Sequence, residues 1–408
     1  MGKSSIARLG TLLLCLGLAA GLSVGTAHAG QKEMKTLKIA SIMPFSGGYG
    51  FYGQVLKPGM EIYAEILNDD GGVKIGKDTY KIEMVFIDDA ADPKRGSQAA
   101  AEAIQKGCVA NVGCFSLAAP IEAALTPAKV LFLAIMQSGI DLNEHRYYIA
   151  GQDILENAYA AYACLEMWPD MKKAGFLVYD WQAGNAKTTF DYMTQPGSPL
   201  SKAGVEVFFE TVPMGNQDFL VPLTKFAEKG VDTIFTWFGP GDFALLPKQA
   251  LVQGFKFRYF NAGTATDLEE FISIGGLENV QGMAFNWPAP WAVRKSKIEP
   301  DLINTAVRIT YRFAEKYGKP MTYVGGFNWG INHTRILLDF YQQAGSIDPD
   351  KAMEKVRGGQ VRDFTGTWTM GGQKRWGSPV VKPSACLVGK IRGKEVVYGA
   401  EYPMPEIP

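Results

Sequence analysis

The sequence predicts an α/β protein of two Rossmann-like lobes, and three observations carry that prediction. Strand-type and helix-type runs alternate along most of the chain, the pattern of a parallel sheet with helices on both faces. The alternation pauses after Val130–Met136 and restarts at Ala158–Trp168, with no low-complexity linker and no tandem repeat between the halves. Length agrees: cleavage of the leader described below leaves 379 of 408 residues, too many for one compact core and suited to two domains.

In the first half, Leu37–Met43 is an apolar strand ended by Pro44, and a glycine-rich loop follows over Ser46–Gly53. Gln54–Asn68 has helical periodicity, and Tyr80–Asp88 alternates as a strand. Asp92-Pro93 reads as a helix cap followed by a first-turn proline. Cys108–Gly113 is a strand, Pro120–Pro127 a helix and Val130–Met136 a short buried strand. In the second half, strands are expected at Lys173–Tyr179, Val205–Thr211, Thr233–Trp237, Tyr259–Asn261 and Val280–Phe285. Helices fall between them, from Ala186, over Phe219–Lys229 and over Asp242–Gln253. Helices then return at Pro300–Tyr317, with Gly318 suited to its C-terminus, at Tyr323–Ala344 and at Pro349–Arg357. Strands and turns fill Thr365–Val397. Ligands of open α/β sheets bind beyond the carboxyl ends of the strands, so a cleft between the lobes is the expected site.

The first 29 residues read as a secretory leader: Lys3 and Arg8, the apolar run Leu12–Val24, then Ala27-His28-Ala29 before the cut. The run is shorter than the roughly 20 residues of a spanning helix. Leu14 before Cys15 does not suit a lipoprotein signal. The mature protein is therefore expected outside the cytoplasmic membrane, in solution. The full chain balances 41 basic against 41 acidic residues, and loss of Lys3 and Arg8 leaves the mature form slightly acidic, so nucleic acid and anionic membranes are poor partners. Four cysteines remain: Cys108, Cys114, Cys164 and Cys386. Cys108 and Cys114 flank a strand-type run that would hold them about 20 Å apart, beyond the reach of a disulfide.

Catalytic and metal patterns are missing. The remaining histidines, His145 and His333, are far apart and have no nucleophile motif beside them. The G-x-S-x-G match at Gly21–Gly25 leaves with the leader, and Asp78 stands where a P-loop needs Ser or Thr. Asp88, Asp89 and Asp92 lack calcium-loop spacing, and no C-x-x-C occurs. The reading is a non-enzyme with no cofactor and no metal.

The ordered set Ile39–Gly47, Tyr52-Gly53, Gly59-Met60, Glu65–Asn68, Asp88–Pro93, Val112-Gly113, Asp232–Phe235, Gly282-Met283, Tyr323-Val324 and Phe364–Gly366 resembles the type I periplasmic solute-binding proteins. More narrowly, it resembles the leucine/isoleucine/valine-binding branch that feeds ABC importers. The resemblance implies a monomer that closes on a small molecule and presents the closed form to a membrane permease and its ATPase subunits. A ligand-sensing receptor module is the alternative. It further implies three hinge crossings, near Ala150–Gln152, Asn286–Pro288 and Thr365–Thr367. Residues 30–150 with 288–365 would then form the first lobe, and 151–287 with 366–408 the second.

Carried over residue by residue, the resemblance places Tyr52 in the ligand wall. Phe115 and Ser116 stand where relatives carry hydroxyl residues for an amino acid's carboxylate, and Gln137, Ser138 and Asp141 occupy the next loop. Asp141 replaces a carboxylate-binding Thr, or caps its own turn. Gly263, beside Thr264, stands where amino-acid binders use an acid for the ammonium group, and Asp267 is either a displaced substitute for that acid or, the favoured reading, a helix cap. Trp181, Trp237, Phe238, Trp287, Trp291 and Tyr323 add aromatic rings at predicted strand ends and crossings. Relatives often pair the cysteine after the third strand with one in the Asp-Asp-Ala segment, where this chain has Ala91. The usual amino-acid clamp is altered at both ends, so an aromatic, amide-like or other non-zwitterionic solute is expected, with an α-amino acid as the alternative.

Overall fold

The first sheet forms around Lys35–Met43 (β1), whose last five residues are all buried. A strand buried on both faces has to be covered by helices, and its near-continuous apolar run follows from that. The computed structural model describes residues 34–113, 118–135, 141–180, 183–213, 215–262, 268–286, 297–318, 321, 326–383 and 385–403.

Chain order in the first lobe is β1, Gly50–Asp69 (α1), Val73–Ile75 (β2), Asp78–Asp88 (β3), Pro93–Gln105 (α2), Ala110–Gly113 (β4), Ala118–Leu125 (α3), Leu131–Ala134 (β5) and Tyr148–Ala150 (β6). The sheet order is β2-β3-β1-β4-β5-β6. All neighbours are parallel except the β2–β3 hairpin. The cap of α2 is as read: the Asp92 side chain accepts from Lys94 N and Arg95 N, and Pro93 opens the helix. Asp92→Ala is expected to cost about 1 kcal/mol, measured as a lower urea midpoint at unchanged slope.

The second lobe runs Glu156–Met167 (α4), Lys173–Tyr179 (β7), Ala183–Thr194 (α5), Pro199–Lys202 (α6), Glu206–Val212 (β8), Leu220–Glu228 (α7), Thr233–Thr236 (β9), Pro240–Val252 (α8), Arg258–Asn261 (β10), Leu268–Gly275 (α9) and Ala284–Asn286 (β11). Its parallel core, β8-β7-β9-β10-β11, is extended at the β11 edge by an antiparallel pair near the C-terminus, Ala385–Arg392 (β14) and Glu395–Pro403 (β15). Phe176, Phe235 and Phe260 pack one face of this sheet, and Phe226 and Phe243 lie in the core on the other.

After β11 the chain returns to the first lobe as Pro300–Tyr317 (α10), which ends at Gly318 in the left-handed conformation, φ 69°. Surface ion pairs Arg308–Asp70, Arg312–Asp69 and Lys316–Glu65 align α10 along α1. The single helix expected over Tyr323–Ala344 is instead a π-helical turn, Gly326–Ile331, leading into Asn332–Ala344 (α11). Next come Pro349–Val356 (α12), the hairpin Gln360–Asp363 (β12) with Gly366–Thr369 (β13), and the short helix Gln373–Trp376 (α13).

The third crossing differs from expectation. Thr365 lies in the turn of the β12–β13 hairpin, where Asp363 accepts from its backbone N–H and its hydroxyl. The chain stays with the first lobe through Val381, which bridges Ala150, while Leu142 N donates to Trp376 O and Gly358 N to Pro379 O. Only beyond Lys382, whose N–H bonds Ala150 O, does it join the second sheet as β14. Side-chain capping turned a passage into a hairpin. Among the described residues no helix is long and apolar enough to cross a membrane.

Candidate functional site

The candidate residues lie at the carboxyl ends of the two sheets. In the first lobe, Asp88 at the end of β3 fixes the loop after β1: it accepts from Phe45 N at 2.8 Å, Ser46 N at 3.3 Å and Ala90 N at 2.9 Å, and from the Ser46 hydroxyl. Burial works against its charge, yet these donors hold its carboxyl below the usual range. The loop delivers Tyr49 and Tyr52 at the start of α1, where Gly53 N returns to Pro44 O. Tyr52, 8 % exposed, packs with Met43, Leu56, Ile135 and Trp329, and Phe45 and Tyr49 lean on the group.

The second lobe answers with Tyr179 and Asp242. The Tyr179 hydroxyl donates to Asp242 Oδ2 at 2.6 Å and accepts from Gly239 N at 3.2 Å, while its ring stacks on Phe238 at 4.6 Å. The hydroxyl thereby bridges the third residue of α8 to its N-cap. Burial raises the phenol of Tyr52, and Tyr49 and Asp242 add to the effect. Burial likewise raises Tyr179, with Asp242 and Tyr52 contributing. Tyr52 of one lobe and the Tyr179–Asp242 pair of the other are therefore within electrostatic range across the cleft. Burial raises the Asp242 carboxyl as well.

Several site expectations meet the structure directly. Tyr52 lies at the interlobe end of its lobe. Trp237 is a packing residue, edge-on to Phe176 at 5.5 Å, and its indole N–H finds no partner among the described residues. Phe238, 1 % exposed, is sandwiched by Tyr179 and Phe219 and packs as a core ring. Asp141 is exposed and accepts from Asn143 N at 2.9 Å and Asn143 Nδ2 at 3.2 Å, the turn-capping alternative. Gly377 backs this turn so closely, at φ +80°, that a Cβ would overlap Asp141. Phe115, Ser116, Gln137, Ser138, Trp181, Gly263, Thr264, Asp267, Trp287, Trp291 and Tyr323 lie outside the described residues.

Sequence reasoning missed Tyr179 and Asp242. Tyr179 closes an unbroken apolar strand and Asp242 sits at a helix start, so each had an adequate structural explanation and no pattern linked them. His145 pairs with Glu122 at 2.5 Å away from the strand ends, and His333 is fully buried. Cys108 is free, and burial pushes its thiol up to about 11. No group of His, Cys, Asp and Glu among the described residues could hold a metal ion.

Residues 36–380 match the family model described as periplasmic binding protein. The chain belongs to that family. Within it, this binding protein is similar to relatives named for leucine, isoleucine and valine binding. It is 27 % identical over 281 residues to a Leu/Ile/Val-binding protein homolog from Brucella melitensis, covering 67 % of this chain and 72 % of the relative. To the leucine-, isoleucine-, valine-, threonine- and alanine-binding protein of Pseudomonas aeruginosa it is 24 % identical over 373 residues, 89 % of this chain and 92 % of that one. A solute-binding protein of an ABC transporter from R. palustris, solved with 4-hydroxybenzoate, shares the fold at TM-score 0.69 and 18 % identity, covering 92 % and 98 % of the two chains. These relatives are solute-binding proteins rather than enzymes, and the family supplies the substrate-binding component of ABC importers.

Proposed function

We propose that this protein is exported by its 29-residue leader, captures an aromatic, amide-like or other non-zwitterionic solute by hinge closure, and hands it to an importer permease. One arrangement supports the reading: Tyr52, with Tyr49 beside it in the first lobe, lies within electrostatic range of Asp242, which the Tyr179 hydroxyl bonds in the second. Rings on one side and a hydrogen-bonded acid on the other suit a flat molecule that stacks and also carries a donor. Asp141 engages its own turn, which removes the counter-charge that a quaternary cation would need there. Ser116, Gln137, Ser138 and the backbone at Gly263 and Thr264 are proposed to supply further polar contacts, with Phe115, Trp181, Trp287 and Tyr323 as additional walls. The solute favours the closed state because only there does it touch both lobes.

The second reading, an α-amino acid binder, draws on the Pseudomonas relative and on Asp242 as a displaced acid for the ammonium group. Thermal unfolding of ligand-stripped protein against a solute panel separates the two. A solute at 100 times its dissociation constant adds about 2.7 kcal/mol, a visible rise in melting temperature. The expected rise comes from aromatic carboxylates or amides and disappears in Tyr52→Ala. A rise with leucine or valine alone would transfer the assignment to amino acids.

A further inference from the structure

We infer that Trp329 is a positioning residue that ties the ligand wall of the first lobe to the first crossing and so sets the resting angle between the lobes; the inference rests on the cleft reading proposed above. Trp329 lies in the π-helical turn Gly326–Ile331, and such turns are rare and concentrate at functional sites. Its ring packs in the small buried group formed by Tyr52, Leu56, Met43 and Ile135. Its Nε1–H donates to Gln152 Oε1 at 2.8 Å, in the segment that leaves β6 for the second lobe. One side chain therefore touches the wall and the crossing together.

His333, four residues further on, repeats the connection. Its Nε2 is 3.0 Å from the carbonyl of Ile135, which leads into the loop carrying Gln137 and Ser138. Its ring lies against Gly151 with no room for a Cβ. A packing role would account for either contact alone. Two side chains that each join a pocket-side residue to a crossing residue describe a coupling. Close-packed interiors pass a displacement on rather than absorb it, so pressure on Tyr52 is felt at Gln152.

The test separates the tie from simple stability. Trp329→Phe keeps a ring but removes the donor to Gln152 Oε1, and Gln152→Leu removes the acceptor of the indole N–H. Each single change is expected to lower the melting temperature. The double change makes both partners of this bond apolar and is expected to restore part of that loss. In the double variant, small-angle X-ray scattering of the mature chain without solute is expected to show a broader, more open distribution than wild type. Affinity for 4-hydroxybenzoate, used as the probe, is expected to fall about tenfold, the worth of one such hydrogen bond. A double variant whose scattering matches wild type overturns the inference. A wild type that ignores every aromatic solute while the scattering difference persists counts against the proposed ligand class and leaves the coupling standing.

Discussion

Asp363→Ala is expected to destabilise the protein by about 3–5 kcal/mol, the range for removing one partner of a buried ion pair. Asp363 is 0 % and Lys382 2 % exposed, with Lys382 Nζ 3.1 Å from Asp363 Oδ2. The same carboxylate accepts from Asn332 Nδ2 at 3.0 Å and from the backbone and hydroxyl of Thr365 at 2.7 and 2.6 Å. Alanine would leave the Lys382 ammonium buried against the Trp368 ring, 4.9 Å from its centroid, with no counter-charge from this position. Adding Lys382→Met should recover part of the loss, because an uncompensated charge costs more than a missing pair. Urea unfolding of the single and double variants measures both; a double variant no better than the single would place the cost in the Thr365 turn instead.

Acid should act through the same group. Burial opposes the charge of Asp363, but Lys382, Thr365 and Asn332 outweigh it and hold the carboxyl below its usual value. A depressed folded-state value means that the stabilisation is present above the unfolded value, near pH 4, and is lost as pH falls through the folded one. Asp363→Ala is therefore expected to flatten the acid limb of the stability curve below pH 4, with the wild-type advantage intact at neutral pH.

Legibility in the sequence followed physical length scale. Strands that carried a run of apolar residues, such as β1 and β7, were readable because burial on both faces leaves a continuous signal. The three-residue strands β2 and β6 were not, since no period can be read in so few positions. Asp92 and Gly318 announced their helix ends because a cap is a local device. The third crossing was misplaced for the opposite reason: Asp363 holds the hairpin through Asn332 and Lys382, 31 residues before it and 19 after. The Tyr179–Asp242 bond joins residues 63 apart, so this polar pair of the candidate site depended wholly on tertiary structure. Trp237 and Phe238 could not be placed from the sequence, because an aromatic at a strand end fits a ligand wall and a core equally well until its neighbours are known.

Gly151→Ala is expected to cost about 3 kcal/mol, at the upper end for overpacking a closed interior. The reason is space: a Cβ at this position would overlap Cδ2 and Nε2 of His333. The His333 ring has little freedom to withdraw, being fully buried and bonded to the Ile135 carbonyl. Gly151 is fixed as well, its N–H donating to Ala134 O at 2.9 Å. Relief demands that either the imidazole abandons Ile135 or the chain leaving β6 moves outward. The two routes have different signatures. If the ring yields, His333→Ala in the Gly151→Ala background should recover stability, giving a favourable coupling of about 0.5–3 kcal/mol between the two sites. If the crossing yields, stability recovers little and the interlobe distance distribution shifts, because this segment carries Gln152 into its bond with Trp329. Urea unfolding of the four members of the cycle, with scattering on the stable ones, decides between them. A Gly151→Ala variant as stable as wild type would mean that the close approach of His333 is not maintained in solution. A large loss relieved by His333→Ala would show that the first crossing is a fitted joint, with the missing Cβ of Gly151 giving the histidine its place.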